Sequence, residues 1–175
     1  MISIRSFLDI GPGGTKMNPF LAKIRSRVNG FDFEKFWKRR ECVVNPAIKC
    51  NTLLRLYYFY WVKRKEAKGG FTFGELYLSG SQFITPPRLP HGPIGIIVGH
   101  DAVIGANCTI FHQVTIAGGN VKIGNNVFIG AGAKILSNVT IGNNVKIGAN
   151  AVVCEDIPDG STCVLPKPRI INKNA

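Results

Sequence analysis

Branched aliphatic residues recur through the C-terminal half of the chain at Val98, Ile104, Ile110 and Ile116, then at Ile123, Ile129, Ile135, Ile141, Ile147 and Val153. The step is six residues, with one extra residue between Ile116 and Ile123. Glycine follows the aliphatic at 99, 105, 124, 130, 142 and 148. A small or branched residue stands four places on, at Ala102, Cys108, Val114, Val127, Ala133, Val139, Val145 and Ala151. A step of six fits neither the helical period of about 3.6 nor the alternation of a hairpin meander. It fits a coil of short strands whose aliphatics point inward and stack rung on rung. Asn125-Asn126 and Asn143-Asn144 are expected at corners, because asparagine tolerates left-handed backbone angles.

The texture before this repeat differs. Residues 1 to about 18 are Gly-rich and unpatterned. Helical patterns follow around Asn18 to Val28 and Asp32 to Lys38. The clearest helix is expected after Asn45-Pro46, with Asn45 as cap and Pro46 in the first turn, running to Lys68 and stopped by Gly69-Gly70. Phe71 to Ile84 reads as short extended segments interrupted by Pro86-Pro87 and Pro90. Two units are therefore expected: a basic, largely helical segment over 1–70, and the repeat unit with its tail over 71–175.

Composition adds charge to this picture. The chain of 175 residues has a formal net charge of +12. Lys23 to Lys68 holds thirteen Lys or Arg against Asp32, Glu34, Glu41 and Glu66, so the excess belongs mainly to the N-terminal segment. Such a balance calls for an anionic partner. The longest apolar run, Tyr57 to Val62, is far too short to span a bilayer, and Met1 to Gly14 lacks the pattern of a secretory signal. A cytoplasmic protein is expected. The five cysteines form neither a CxxC pair nor a disulfide framework and are read as reduced thiols.

The runs Ile94 to Gly119 and Lys122 to Val153 resemble the hexapeptide-repeat acyltransferases, and within them the serine acetyltransferase branch. The resemblance covers about half the chain, from Pro90 to Arg169. It implies a left-handed parallel β-helix of triangular section with three hexapeptides per coil, so the expected fold is mainly β with a small helical N-terminal subdomain. It also implies a homotrimer with acetyl-CoA bound in the groove between neighbouring subunits.

Sorted three hexapeptides to a coil, Ile110, Ile129 and Ile147 share a face, and His112, Ala131 and Ala149 form one corner column. His91-Gly92-Pro93 falls near the top of that column. Small residues beside histidine leave room for the thin pantetheine arm, and the cofactor-binding expectation comprises Gly118, Gly119, Ala131, Gly132, Ala133 and Ala149. Lys167 and Arg169 resemble the tail that covers the CoA nucleotide, where cations would meet its phosphates. Lys122, Lys134 and Lys146 fall on three different faces.

Acetyl transfer to a hydroxyl needs a base, and histidine titrates in the range required. His91-Gly92-Pro93-Ile94-Gly95-Ile96-Ile97-Val98-Gly99 resembles the family's catalytic-histidine segment with one residue inserted. His91 is therefore the expected base and His112 the second catalytic candidate, holding the thioester carbonyl or the acceptor. Glu75 is the candidate carboxylate partner of His91.

Three departures bear on the acceptor. Pro90 stands where serine acetyltransferases carry an aspartate, Gly118-Gly119-Asn120 runs into Val121 with no loop bearing a second histidine, and the N-terminal segment is short. Compact relatives with such a basic segment resemble the O-acetyltransferases of polysaccharide clusters. The first expectation is therefore a sugar hydroxyl of a surface polysaccharide or its precursor as acceptor, with L-serine as the alternative. The aromatic and cationic residues between Leu53 and Lys68 suit either packing within the trimer or peripheral contact with an anionic membrane. No nucleic-acid motif accompanies the charge, and no metal is expected. A scaffold or zinc role would draw on His91, His100 and His112.

Overall fold

The computed structural model describes residues 31–166. Among these residues two helices stand at the N-terminal side of a parallel β-solenoid of about five turns that matches the left-handed β-helix. Helix α1 spans Phe33–Val44, and the Asp32 side chain accepts from the Lys35 N–H at its start. Helix α2 spans Thr52–Gly69. Its cap differs from expectation: Asn51 accepts from the Leu53 N–H, whereas Asn45 ends α1 by donating its N–H to the Glu41 carbonyl. Both asparagines suit a helix end, and Pro46 lies in the turn between the helices. Gly70, at φ 63°, closes α2 in the left-handed conformation. The helix expected around Asn18 to Val28 lies outside the described residues.

Phe71 to Ile84 forms short strands: β1 (Glu75–Leu76) pairs antiparallel with β2 (Ser79–Gly80), and β3 (Gln82–Phe83) opens the solenoid. The ten two-residue strands that follow are β4 (Ile97–Val98), β5 (Val103–Ile104), β6 (Thr109–Ile110), β7 (Thr115–Ile116), β8 (Lys122–Ile123), β9 (Phe128–Ile129), β10 (Lys134–Ile135), β11 (Thr140–Ile141), β12 (Lys146–Ile147) and β13 (Val152–Val153). β14 (Thr162–Cys163) closes the series. They stack into three parallel sheets ordered β4-β7-β10-β13, β3-β5-β8-β11 and β6-β9-β12-β14. In each pair the first residue faces out and the second faces in, so Ile110, Ile129 and Ile147 lie in register on one inner face.

The corners are built as the repeat requires. Asn107, Asn126 and Asn144 stack at one corner with φ between 57° and 60°, so the second asparagine of each pair takes the left-handed turn. The first asparagine ties adjacent coils: Asn125 Oδ1 accepts from the Ala106 N–H at 2.8 Å, and Asn143 Oδ1 from the Asn125 N–H at 2.9 Å. Asp159 ends the ladder by accepting from the Asn143 N–H at 2.7 Å. Those hydrogen bonds hold its exposed carboxyl below the usual carboxylate range.

One hydrophobic cluster runs from the helices into the prism, joining Phe36, Trp37, Val62, Phe71 and Phe73 to the stacked aliphatics. Buried Arg40 fastens the helices to the hairpin. Its Nε meets Glu75 Oε1 at 2.7 Å, and its Nη2 donates to the carbonyls of Ser81 and Phe73 at 2.6 and 3.1 Å.

Candidate active site

The corner between the β6-β9-β12-β14 sheet and the β4-β7-β10-β13 sheet carries the column read from the repeat. The Gly132 N–H donates to the His112 carbonyl at 3.0 Å, and the Asn150 N–H to the Ala131 carbonyl at 2.8 Å, so residues 112, 131 and 149 stack coil on coil. One coil above, the Gln113 N–H donates to the Ile94 carbonyl at 2.9 Å. Gly92 and Gly95, at φ 77° and 67°, let the chain double back there. This turn sets the His91 ring over His112.

The two imidazoles are stacked, with centroids 5.0 Å apart and planes 23° apart, and their Nδ1 atoms lie 3.1 Å from one another. At that distance one Nδ1 donates and the other accepts. The donor ring is left with a lone pair on Nε2 and the acceptor ring with an Nε2–H. A single pair of histidines thus presents a proton acceptor and a proton donor side by side.

Phe111 meets the His91 ring edge-on at 5.3 Å and packs on Phe128 at 5.1 Å. Lys134 Nζ donates to the Gln113 carbonyl at 2.9 Å and so ties the residue after His112 to the next coil. These neighbours escaped the reading of the repeat, although Phe111 carried a signal. It occupies the place after the core aliphatic where glycine recurs, immediately before His112.

Other expected residues fall elsewhere. Ala131, Gly132 and Ala149 line the histidine column, but the Ala133 methyl is fully buried in the core, so that residue offers the corner only its backbone. Gly118 and Gly119 stand at the corner between the β4 and β5 sheets, where Asp101 Oδ2 accepts from the N–H groups of Gly119 and Asn120 at 2.7 and 3.2 Å. Those hydrogen bonds hold the exposed Asp101 carboxyl low. Within one chain the Gly-Gly pair is thus not beside His91. His100 belongs to the Asp101 corner as well, so the three histidines of the zinc reading do not converge. No cluster of three or more His, Cys, Asp or Glu suited to a metal occurs among the described residues. Lys167 and Arg169 lie outside the described residues.

Glu75 does not orient His91: it is buried against Arg40, with Lys63 Nζ 3.9 Å from its Oε2. Burial, with the neighbouring Glu66 carboxyl, pushes Glu75 up to about 8 against the pull of Arg40. Glu66 moves the other way. Burial raises it, yet Glu75 and hydrogen bonds from Lys63 and the Phe73 N–H bring it below its ordinary value. The opposed directions favour the protonated form of Glu75 beside an ionised Glu66, and Glu75 Oε2 meets no hydrogen-bond partner.

Comparison with known proteins bears on the repeat and on the acceptor. Residues 120–155 match the family model described as bacterial transferase hexapeptide (six repeats), and residues 92–112 match hexapeptide repeat of succinyl-transferase. The chain is 45% identical over 93 residues to a serine acetyltransferase of Helicobacter pylori, covering 49% of this chain and 54% of that protein. It is 40% identical over 93 residues to the serine acetyltransferase of Synechococcus elongatus, covering 49% and 38%. The chain spans about half the length, or less, of these curated relatives. Among solved structures, the soybean serine acetyltransferase apoenzyme shares 33% identity at a TM-score of 0.53, covering 67% of this chain and 50% of that one. The Entamoeba histolytica serine acetyltransferase isoform 3, in complex with cysteine, is similar in fold, with a TM-score of 0.57 at 23% identity over 90% of this chain and 68% of that one. These relatives overturn the expectation of a polysaccharide sugar as acceptor, which rested on the short basic N-terminal segment.

Proposed function

We propose that the protein transfers an acetyl group from acetyl-CoA to the hydroxyl of L-serine, with His91 as base. The observation that carries this reading is the Nδ1 contact of His91 and His112 at the head of a small-residue column. The serine acetyltransferase names of its relatives support the acceptor.

In the proposed reaction the serine hydroxyl oxygen attacks the thioester carbonyl carbon while His91 Nε2 takes the hydroxyl proton. The Nε2–H of His112 stabilises the oxyanion that forms. The tetrahedral intermediate collapses by breaking the C–S bond, and the imidazolium returns the proton to the departing thiolate. The products are O-acetylserine and CoA. For that sequence His91 must be the ring whose Nδ1 donates, and His112 the ring whose Nδ1 accepts.

Ala131, Gly132 and Ala149 leave a slender track for the pantetheine arm, with the nucleotide toward Lys167 and Arg169. In a homotrimer, the Gly118-Gly119 corner of a neighbouring subunit supplies the facing wall of this groove. Acetyl-CoA is a cytoplasmic metabolite, and the reaction is assigned to that compartment. Pro90 gives an amino-acid acceptor no charge to bind, so the reading requires a high KM for serine.

CoA release measured with L-serine and without acceptor tests the proposal. Serine-dependent release that saturates at high serine supports it. Release independent of serine contradicts it.

A further inference from the structure

Helix α2 is apolar on two faces, and the fold uses one. The inner face places Arg55, Val62 and Glu66 in the interior, with Phe59 packed on Tyr77 at 5.9 Å. The outer face leaves Leu53, Leu56, Tyr57 and Tyr60 exposed by 77%, 47%, 52% and 61%. At about 100° per residue these four lie on one stripe, which continues through Arg64 and Lys68. Single exposed apolar residues are ordinary, but a row across the first turns of a helix marks a contact surface.

Charge selects the occupant. The one acid of α2 is Glu66, buried on the inner face, whereas the helix carries Arg55, Lys63, Arg64, Lys65 and Lys68. From α1, Arg39 stacks over Trp61, Tyr58 and Tyr57 at 4.2, 5.0 and 5.7 Å and adds a further cation at the edge of the stripe. A second copy of this face would set like charges against one another, on a chain whose net charge is already +12. An anionic bilayer answers both features, because Leu and Tyr enter the headgroup boundary while Lys and Arg meet lipid phosphates. Among the described residues no helix is long and apolar enough to cross a membrane, so such contact runs along the surface.

The geometry points to α2 as a peripheral membrane element, with Leu53, Leu56, Tyr57 and Tyr60 set into the headgroup boundary of an anionic bilayer and Arg64 and Lys68 against its phosphates. This surface is separate from the histidine corner and independent of the chemistry proposed there.

Co-sedimentation of the full chain at low salt, with vesicles of equal parts phosphatidylglycerol and phosphatidylcholine or of phosphatidylcholine alone, tests the assignment. The protein is expected to partition onto the anionic vesicles, to leave them at high salt, and to ignore the neutral ones. Each cation near the surface contributes about fivefold, so Arg64→Glu with Lys68→Glu weakens partition by at least about 25-fold. Leu53→Ser with Tyr60→Ser also weakens it, and these exposed positions leave thermal unfolding and acetyl transfer unchanged. Equal binding to both vesicles, binding to neither, or concentration-dependent self-association abolished by Leu53→Ser and Tyr60→Ser would overturn the assignment; the last result would give the stripe to a second copy.

Discussion

His91 and His112 lie 3.1 Å apart at Nδ1, and that contact divides the work of the corner between an acceptor nitrogen and a donor nitrogen. His91→Ala removes the proposed base and is expected to lower kcat about 10²–10⁴-fold in the CoA-release assay. His91 is exposed, so thermal unfolding stays at the wild-type midpoint. His112→Ala removes the Nδ1 partner of His91, together with the proposed donor to the oxyanion. Hydrogen bonds of this kind are worth about 1.5–3 kcal/mol, so kcat falls about 10- to 100-fold or more with KM for acetyl-CoA little changed. The column itself was legible once the family resemblance implied three hexapeptides per coil, because the six-residue step, with the extra residue after Ile116 allowed for, then fixes which residues stack. The Nδ1 contact was not, since it depends on how the Gly92 and Gly95 turns aim one ring. Nor was the role of Glu75, whose spacing before His91 says nothing about the Arg40 that reaches it from α1.

At the scale of elements, α1 is joined to the hairpin through a buried group of charges. Glu75 is raised to about 8, well above the ordinary glutamate value of 4.5, so the folded chain keeps a proton that the unfolded chain releases. The stability this confers is fully present below about pH 4.5 and is lost as pH rises through about 8. Glu66, lowered in the fold, acts in the opposite sense: its contribution is present above its ordinary value and fades in acid. Urea unfolding is therefore expected to show stability falling between about pH 5 and pH 8, by on the order of a few kcal/mol. Glu75→Gln, which keeps an acceptor for Arg40 and cannot ionise, flattens that fall; an unchanged slope refutes a raised Glu75. Helix α2 shows where sequence misplaced a boundary. Asn45-Pro46 reads as the helix start, but Asn51 caps α2 and the helix begins at Thr52, because Asn45 is already committed to closing α1.

For the whole molecule, stability follows from stacking. Each coil contacts only its neighbours, and the inward residues of successive rungs form one continuous core. Ile129 is fully buried between Ile110 and Ile147, so Ile129→Ala is expected to cost about 2–5 kcal/mol in urea unfolding. This architecture was the most legible feature of the chain, because a strict six-residue step admits few other folds. Ala133 obeys that step and is a core residue for the same reason. The acceptor was the least legible feature. It depends on side chains around one turn and on the proposed subunit seam, and the departures at Pro90 and after Gly119 pointed away from the serine that the relatives favour. The most direct test of the account is a crystal structure of the full protein with CoA. With His91 as the proposed base, the thiol sulfur is expected within reach of His91 and His112, and the pantetheine arm along Ala131 and Ala149 toward the C-terminal coils. CoA seated away from that corner, or a thiol facing a side chain other than these two imidazoles, would contradict it.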